Sequence, residues 1–270
     1  MQILPASSGC TTGASVLGSN SHGEAVGWCG SSVALYWANG LVKVLASPRP
    51  QAGQPNFFSI ATGISEAGDI YGVGGPNNVP NPYLARFYKD GTPAKIFGPE
   101  TGFPGVDSVN ALGRYAFTEA EFGYIARAAF TGHGQSVTAL LPKRNTTDAV
   151  WINDMGIVTG AIYHGDGMVG DWAEGYLDNN GSLTIIKGMN STKDFITPVG
   201  IDDSNRVIGN YSSPKLSQSV FGYFNGTLVP NLSKYISPSG NYSNAYQGVS
   251  SDGDFVASGP NGNYLIKPAQ

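Results

Sequence analysis

The stretch Trp151-Ile-Asn-Asp-Met-Gly-Ile-Val-Thr-Gly160 decides the fold, because its central turn, Asn153-Asp-Met-Gly156, returns five more times along the chain. The other copies are Asn20-Ser-His-Gly23, Ser65-Glu-Ala-Gly68, Asn110-Ala-Leu-Gly113, Asp202-Asp-Ser-Asn205 and Ser250-Ser-Asp-Gly253. Their last residues lie 45, 45, 43, 49 and 48 positions apart. Asn, Asp or Ser stands first, where a short side chain can bond the backbone further on. Gly or Asn stands last, where the chain turns left-handed. Apolar residues precede five copies (Ile64, Val109, Ile152, Ile201, Val249), and short β-rich runs follow, so each copy reads as a hairpin. A period of roughly 40–50 residues built from strands is the mark of a β-propeller, one four-stranded blade per repeat.

The rest of each repeat completes the blade. Four residues past the turn a second glycine appears in four copies (Gly27, Gly72, Gly160, Gly209), which predicts close approach of another backbone on that face. A third strand follows, for example Val33-Ala-Leu-Tyr-Trp37 or Phe221-Gly-Tyr-Phe224. Asn39-Gly40, Asp90-Gly91, Asn180-Gly181 and Asn225-Gly226 then mark tight hairpins into a fourth. The last repeat stops short of its fourth strand, while Met1-Gln-Ile-Leu4 opens the chain as an orphan strand. The expectation is therefore one all-β domain over 1–270, a six-bladed propeller of four-stranded antiparallel blades. Its turns centre near 23, 68, 113, 156, 205 and 253, and residues 1–5 complete the sixth blade and close the ring. The alternative is five good blades with a degenerate closure.

The pattern apolar-Asn-Asp-x-Gly-x-Val-x-Gly, then Ala-Phe/Tyr-Leu-Trp, then Asn-Gly resembles the HAF-type extracellular repeat. Residues 150–160 and 33–40 match it best, and the likeness runs through the whole chain, loosely in the third and sixth copies. The resemblance implies a propeller in an extracellular setting and no common catalytic residue.

Composition narrows the function classes. The 38 glycines and 17 prolines suit short strands and many turns. Only 13% of residues are charged and the net charge is −4, which argues against a nucleic-acid footprint. No apolar run approaches the ~20 residues of a membrane helix. Met1 opens a polar, turn-rich segment rather than a signal peptide, so a mature start and an extracellular or periplasmic location are expected, as a monomer. Cys10 enters the first blade and Cys29 follows its second strand; propeller topology brings both to one face, where a disulfide fits, the alternative being two buried thiols. Seven Asn-x-Ser/Thr sequons (Asn145, Asn180, Asn190, Asn210, Asn225, Asn231, Asn241) carry little weight in a chain this rich in those residues.

The longest insertion between second and third strands, His164-Gly-Asp-Gly-Met-Val-Gly-Asp-Trp-Ala-Glu174, gathers the chemistry. His164 with Asp166, Asp171 or Glu174 could supply acid–base catalysis. The three carboxylates could instead hold Ca²⁺, or the segment could be a solvated Gly-rich loop. No cofactor is otherwise expected, nor any dedicated metal site. Trp172, Tyr83, Phe103 and Tyr235 are candidate sugar-stacking rings, and Lys143-Arg144 could receive an acidic group. Most other aromatics (Trp37, Phe87, Trp151, Tyr176, Tyr223) are expected in the core, and His22 and His133 in solvated turns. The chain lacks a Gly-x-Ser-x-Gly elbow, a phosphate-binding loop, His-Glu-x-x-His and Cys-x-x-Cys, against nucleotide, thiol-redox and common zinc chemistry. Three readings follow: an extracellular carbohydrate-binding propeller, a polysaccharide lyase or glycoside hydrolase on the same loop-rich face, and a structural or protein-interaction module. The loop residues differ from blade to blade, which favours one site over six equivalent ones. Whether the chain is an enzyme stays open at this point.

Overall fold

All six repeat turns close in the same way. At Asn153, the Gly156 N–H donates to the Asn153 carbonyl (2.9 Å) and the Asn153 N–H donates to the Ile157 carbonyl (3.1 Å). Oδ1 of Asn153 accepts the Ile157 N–H at 2.9 Å. The same backbone pair recurs at Asn20, Ser65, Asn110, Asp202 and Ser250. Each of those side-chain oxygens likewise accepts the N–H four residues on. The last residue of every turn has φ between 62 and 91°, which Gly adopts freely and Asn205 tolerates.

The computed structural model describes residues 13–30, 33–48, 57–76, 83–97, 103–120, 127–140, 146–165, 172–190, 193–214, 216–232, 235–237, 242–250, 253–259 and 262–268. The first sheet is β1 (Ala14–Ser19), β2 (Ala25–Cys29), β3 (Val33–Ala38) and β4 (Leu41–Val44). The second is β5 (Phe57–Ile64), β6 (Ile70–Pro76), β7 (Tyr83–Phe87) and β8 (Lys95–Phe97). The third is β9 (Phe103–Val109), β10 (Arg114–Ala120), β11 (Arg127–His133) and β12 (Ser136–Ala139). Two further meanders follow: β13 (Thr146–Ile152), β14 (Val158–His164), β15 (Trp172–Asn179) and β16 (Ser182–Ile186), then β17 (Phe195–Ile201), β18 (Val207–Ser213), β19 (Leu216–Phe224) and β20 (Thr227–Val229). The last sheet holds β21 (Ile236–Ser237), β22 (Asn244–Val249), β23 (Phe255–Gly259) and β24 (Gly262–Pro268).

The fold is all-β and propeller-like, with two departures from expectation among the described residues. The fourth and fifth meanders form one eight-stranded sheet, because a single parallel pair, Ala173↔Phe195, joins β15 to β17. The sheets therefore number five: four of four strands and one of eight. Second, β21 pairs the end of β24 through Ile236↔Pro268 and Ser237↔Lys267. Residues 1–5, expected as the closing strand, lie outside the described residues, and no described pairing joins the first sheet to the last.

The second glycine of each repeat has a specific cause. Gly27, Gly72, Gly160 and Gly209 pair with Val16, Ala61, Ala149 and Pro198, each just before a register break in the first strand. A Cβ there would overlap the carbonyl oxygen of Ser15, Ile60, Asp148 or Thr197. The approaching backbone is thus the β-bulge of the same sheet, not a neighbouring blade. Sheet-to-sheet approach falls to other residues: a Cβ on Gly63 would overlap the Val109 side chain, and one on Gly200 that of Val249.

The chain divides into two compact units, Met1–Gly123 with Thr131–Thr138, and Tyr124–Phe130 with Ala139–Gln270. In the first, Val26 and Ala34 pack against Ala61, Ile64, Ile70, Ala85 and Phe87 between the first two sheets. In the second, Ile186 and Ile157 pack on Ile196, Ile201 and Phe221, and Val199, Ile208 and Val220 pack on Val249, Phe255 and Ile266. Trp37, Phe87 and Tyr176 are buried as expected, while Trp151 and Tyr223 are partly so.

Successive turns are also tied to one another. Nδ2 of Asn20 donates to the Ser65 carbonyl (3.0 Å), and the Glu66 N–H donates to the Ala111 carbonyl (3.2 Å). In the second unit, Nδ2 of Asn153 donates to the Asp202 carbonyl (2.9 Å), and the Asp154 N–H donates to Asp203 Oδ1 (2.9 Å). Asn153 is buried, so Asn153→Ala strands one donor and one acceptor in two turns. It is expected to cost about 2–4 kcal/mol in denaturant unfolding, and a change under 0.5 kcal/mol would show that the tie carries no weight.

Glu24 accepts from Lys89 Nζ, Tyr36 Oη and Asn20 Nδ2. Burial alone pushes its carboxyl up, but these bonds and the Lys89 charge outweigh burial and lower it from 4.5 to about 2. Burial and the bond to Glu24 push the Tyr36 hydroxyl up to about 12. A carboxyl depressed on folding contributes stability that is present above 4.5 and lost as pH falls through about 2. Glu24→Gln is expected to lose about 1–3 kcal/mol at neutral pH and to flatten the acid limb of a stability–pH curve over that window.

Candidate functional site

One polar cluster stands out on the hairpin β14/β15. The register pairs His164 with Trp172, Tyr163 with Ala173 and Ile162 with Glu174. Alternation along the strands therefore puts His164, Trp172 and Glu174 on one face of the sheet. The His164 and Trp172 rings stack 3.7 Å apart at an interplanar angle of 6°. His164 Nε2 lies 3.1 Å from Glu174 Oε2. The two side chains are 22% and 12% exposed, so the pair is sheltered yet reachable.

The opposite face of β15 is packed. Ala173 is buried and its N–H donates to the Asp194 carbonyl at 3.0 Å, beside the parallel pair with Phe195. A Cβ on Gly175 would lie 3.1 Å from both Ile196 and Pro198. The backbone carrying Trp172 and Glu174 is thus held on one side by β14 and on the other by the next meander. Asp194 is itself buried, with Oδ2 accepting from Tyr211 Oη (2.8 Å) and the Asn190 N–H (2.6 Å).

Counted from the second glycine of each repeat, the pair two residues on is Ile162↔Glu174 here, Cys29↔Val33 in the first sheet, Gly74↔Tyr83 in the second and Tyr211↔Ser219 in the fifth meander. Val, Tyr or Ser thus stands where Glu174 stands, so packing does not require a carboxylate there. Four residues on from that glycine, the position of His164 is Pro76 in the second sheet and Ser213 in the fifth meander.

The other expected site residues lie on other elements or outside the described residues. Tyr83 starts β7 half-buried, and Phe103 starts β9, both in the first unit; Tyr235 is 64% exposed in the second. Trp172 belongs to the cluster, but one of its faces is covered by His164 rather than open to a sugar. Asp166, Asp171, Lys143, Arg144 and Cys10 lie outside the described residues. Among the described residues no three His, Cys, Asp or Glu side chains converge on a metal position. His22 and His133 are exposed as expected, His22 lying 3.2 Å from Glu66. The sequence pointed to the insertion but not to the stacked rings; the even offset from Trp172 to Glu174, with a strand assigned there, was the available signal. No helix of the described residues is long and apolar enough to cross a membrane.

No family model matches this sequence, nor does any curated protein. Among solved structures, the chain is similar to dipeptidyl peptidase 4 of Porphyromonas gingivalis, with a TM-score of 0.57 and 10% identity over 91% of this chain. It is similar to a puromycin-hydrolyzing peptidase of Mycobacterium tuberculosis, with a TM-score of 0.57 and 10% identity over 93% of this chain. The chain spans 42% of the length of each. At such identities the likeness shows the propeller-type fold and nothing of activity.

The ring stack has a direct readout. In Trp172→Leu, the His164 ring protons are expected to move downfield in the proton NMR spectrum as the shielding indole is removed. Unchanged shifts would mean that the rings are not stacked in solution.

Proposed function

We propose that this chain is a secreted, six-bladed β-propeller that binds a carbohydrate at the His164–Trp172–Glu174 cluster. The observation that carries this reading is the meeting of His164, Trp172 and Glu174 on one face of the β14/β15 hairpin, with the two rings stacked and the carboxylate within hydrogen-bond reach of the imidazole. A half-buried indole beside an imidazole and a carboxylate suits a sugar, which offers apolar C–H faces and hydroxyls together. Sugar contact at Trp172 would use the ring face and edge left free by His164.

The finer architecture belongs to the same proposal: HAF-type repeats, the fourth and fifth meanders as separate blades, and residues 1–5 closing the ring. A Cys10–Cys29 bridge would tie that closure to the first blade. In support, Cys29 is 1% exposed and is not a free thiol. Thiol labelling after non-reducing denaturation is expected to find no reactive cysteine; two labelled residues would remove the bridge.

A second reading, acid–base catalysis as a polysaccharide lyase or glycoside hydrolase, is favoured by one observation. Glu174 lies within hydrogen-bond reach of the His164 imidazole, as a carboxylate that orients a catalytic base does. Incubation with a panel of neutral and acidic polysaccharides, followed by size-exclusion chromatography, separates the readings. Co-elution with an intact polymer, weakened up to roughly tenfold by Trp172→Ala, supports binding. Shortened polymer supports catalysis, which His164→Ala should then slow by about 10²–10⁴. If no polymer is retained or cut, the carbohydrate reading fails.

A further inference from the structure

We infer that Glu174 is a positioning residue that holds His164 in its Nε2–H tautomer, so that the His164–Glu174 pair offers acceptors, Nδ1 and Oε1, and takes a hydrogen-donating group, a neutral sugar hydroxyl or an amino group, rather than a carboxylate. The ligand half of this inference rests on the binding reading above; the tautomer half does not.

An ionised carboxylate has no proton to give, so the 3.1 Å contact between His164 Nε2 and Glu174 Oε2 places the hydrogen on Nε2. A neutral imidazole carries one such hydrogen, which leaves Nδ1 with a lone pair. The Trp172 indole, parallel to the imidazole at 3.7 Å, fixes the ring plane and resists reorientation about the side-chain bonds. Neither His164 nor Glu174 makes another hydrogen bond among the described residues, so Nδ1 and Glu174 Oε1 are both free acceptors. No cation is paired with Glu174 there either. A ligand that brings O–H or N–H satisfies both atoms. A ligand carboxylate brings two more acceptors beside a carboxylate and is disfavoured by like charge and unmatched lone pairs. The direction of discrimination at these two atoms runs against acidic sugars.

The test has two arms. Long-range ¹⁵N–¹H spectra of the wild-type protein at about pH 8, above the ordinary imidazole range near 6.5, should show His164 as the Nε2–H tautomer. Glu174→Leu should convert it to a mixture; Val33 occupies the equivalent position in the first sheet, so an aliphatic side chain is compatible with the frame. A wild-type Nδ1–H form, or an unchanged tautomer in Glu174→Leu, would overturn the assignment. In the second arm, a neutral oligoglucoside, its amino-sugar counterpart and its uronate counterpart are titrated by calorimetry. The first two should bind roughly tenfold more tightly than the uronate, and Glu174→Leu should erase that preference. Tighter binding of the uronate overturns the ligand class. No binding by any of the three overturns the ligand class together with the carbohydrate reading, while the spectra still decide the tautomer.

Discussion

The structure depends on a hydrogen-bonding problem that every repeat must solve: each hairpin turn exposes backbone groups that the next turn then partly covers. A single asparagine solves both sides of it. Oδ1 of Asn153 closes its own turn on the Ile157 N–H, and Nδ2 closes the next turn on the Asp202 carbonyl. Asn20 acts in the same way toward Glu24 and Ser65. A buried amide has two donors and an acceptor, so it can satisfy both partners, whereas Ser in this position caps only its own turn. The spacing of the repeats follows from this tie, since the loops between turns can vary while the turn-to-turn contact cannot.

Much of the architecture was legible in the sequence because it is written in local terms. The turn residues, the Asn-Gly hairpins and the apolar runs specify strands and their order without reference to distant residues. The second glycine was legible as a point of close approach, but not the partner: a bulge is a register event, and register appears only once two strands are paired. The Ala173↔Phe195 pair and the β21–β24 pair were invisible for a related reason, being contacts between backbones with no side-chain signature. At the site, the insertion from 164 to 174 contains the three residues that meet. Which of them meet was set by cross-strand register, so His164 with Glu174 and Trp172 could be recognised only after β14 and β15 were placed. The aromatic set of Trp172, Tyr83, Phe103 and Tyr235 was chosen by residue type and by the loops that a propeller gathers on one face, and neither places a ring in space.

The cluster owes its definition to being held from both sides. β14 fixes Trp172 and Glu174 through an unbroken run of seven backbone pairs that ends at His164↔Trp172, while Ala173, between the two, is bonded to the start of the next meander. A side chain on such a backbone has few soft dihedrals left, which is the condition for presenting fixed polar atoms to a ligand. In the first sheet the position of Glu174 carries Val33, paired with buried Cys29.

That interchangeability has an evolutionary consequence. Because the frame is set by turns and bulges common to the repeats, one position can carry Glu174, Val33, Tyr83 or Ser219 with no change to the scaffold's own bonding. A lineage built from such repeats can therefore move its site around the array while keeping its fold, and the position of function would drift faster than the architecture that carries it.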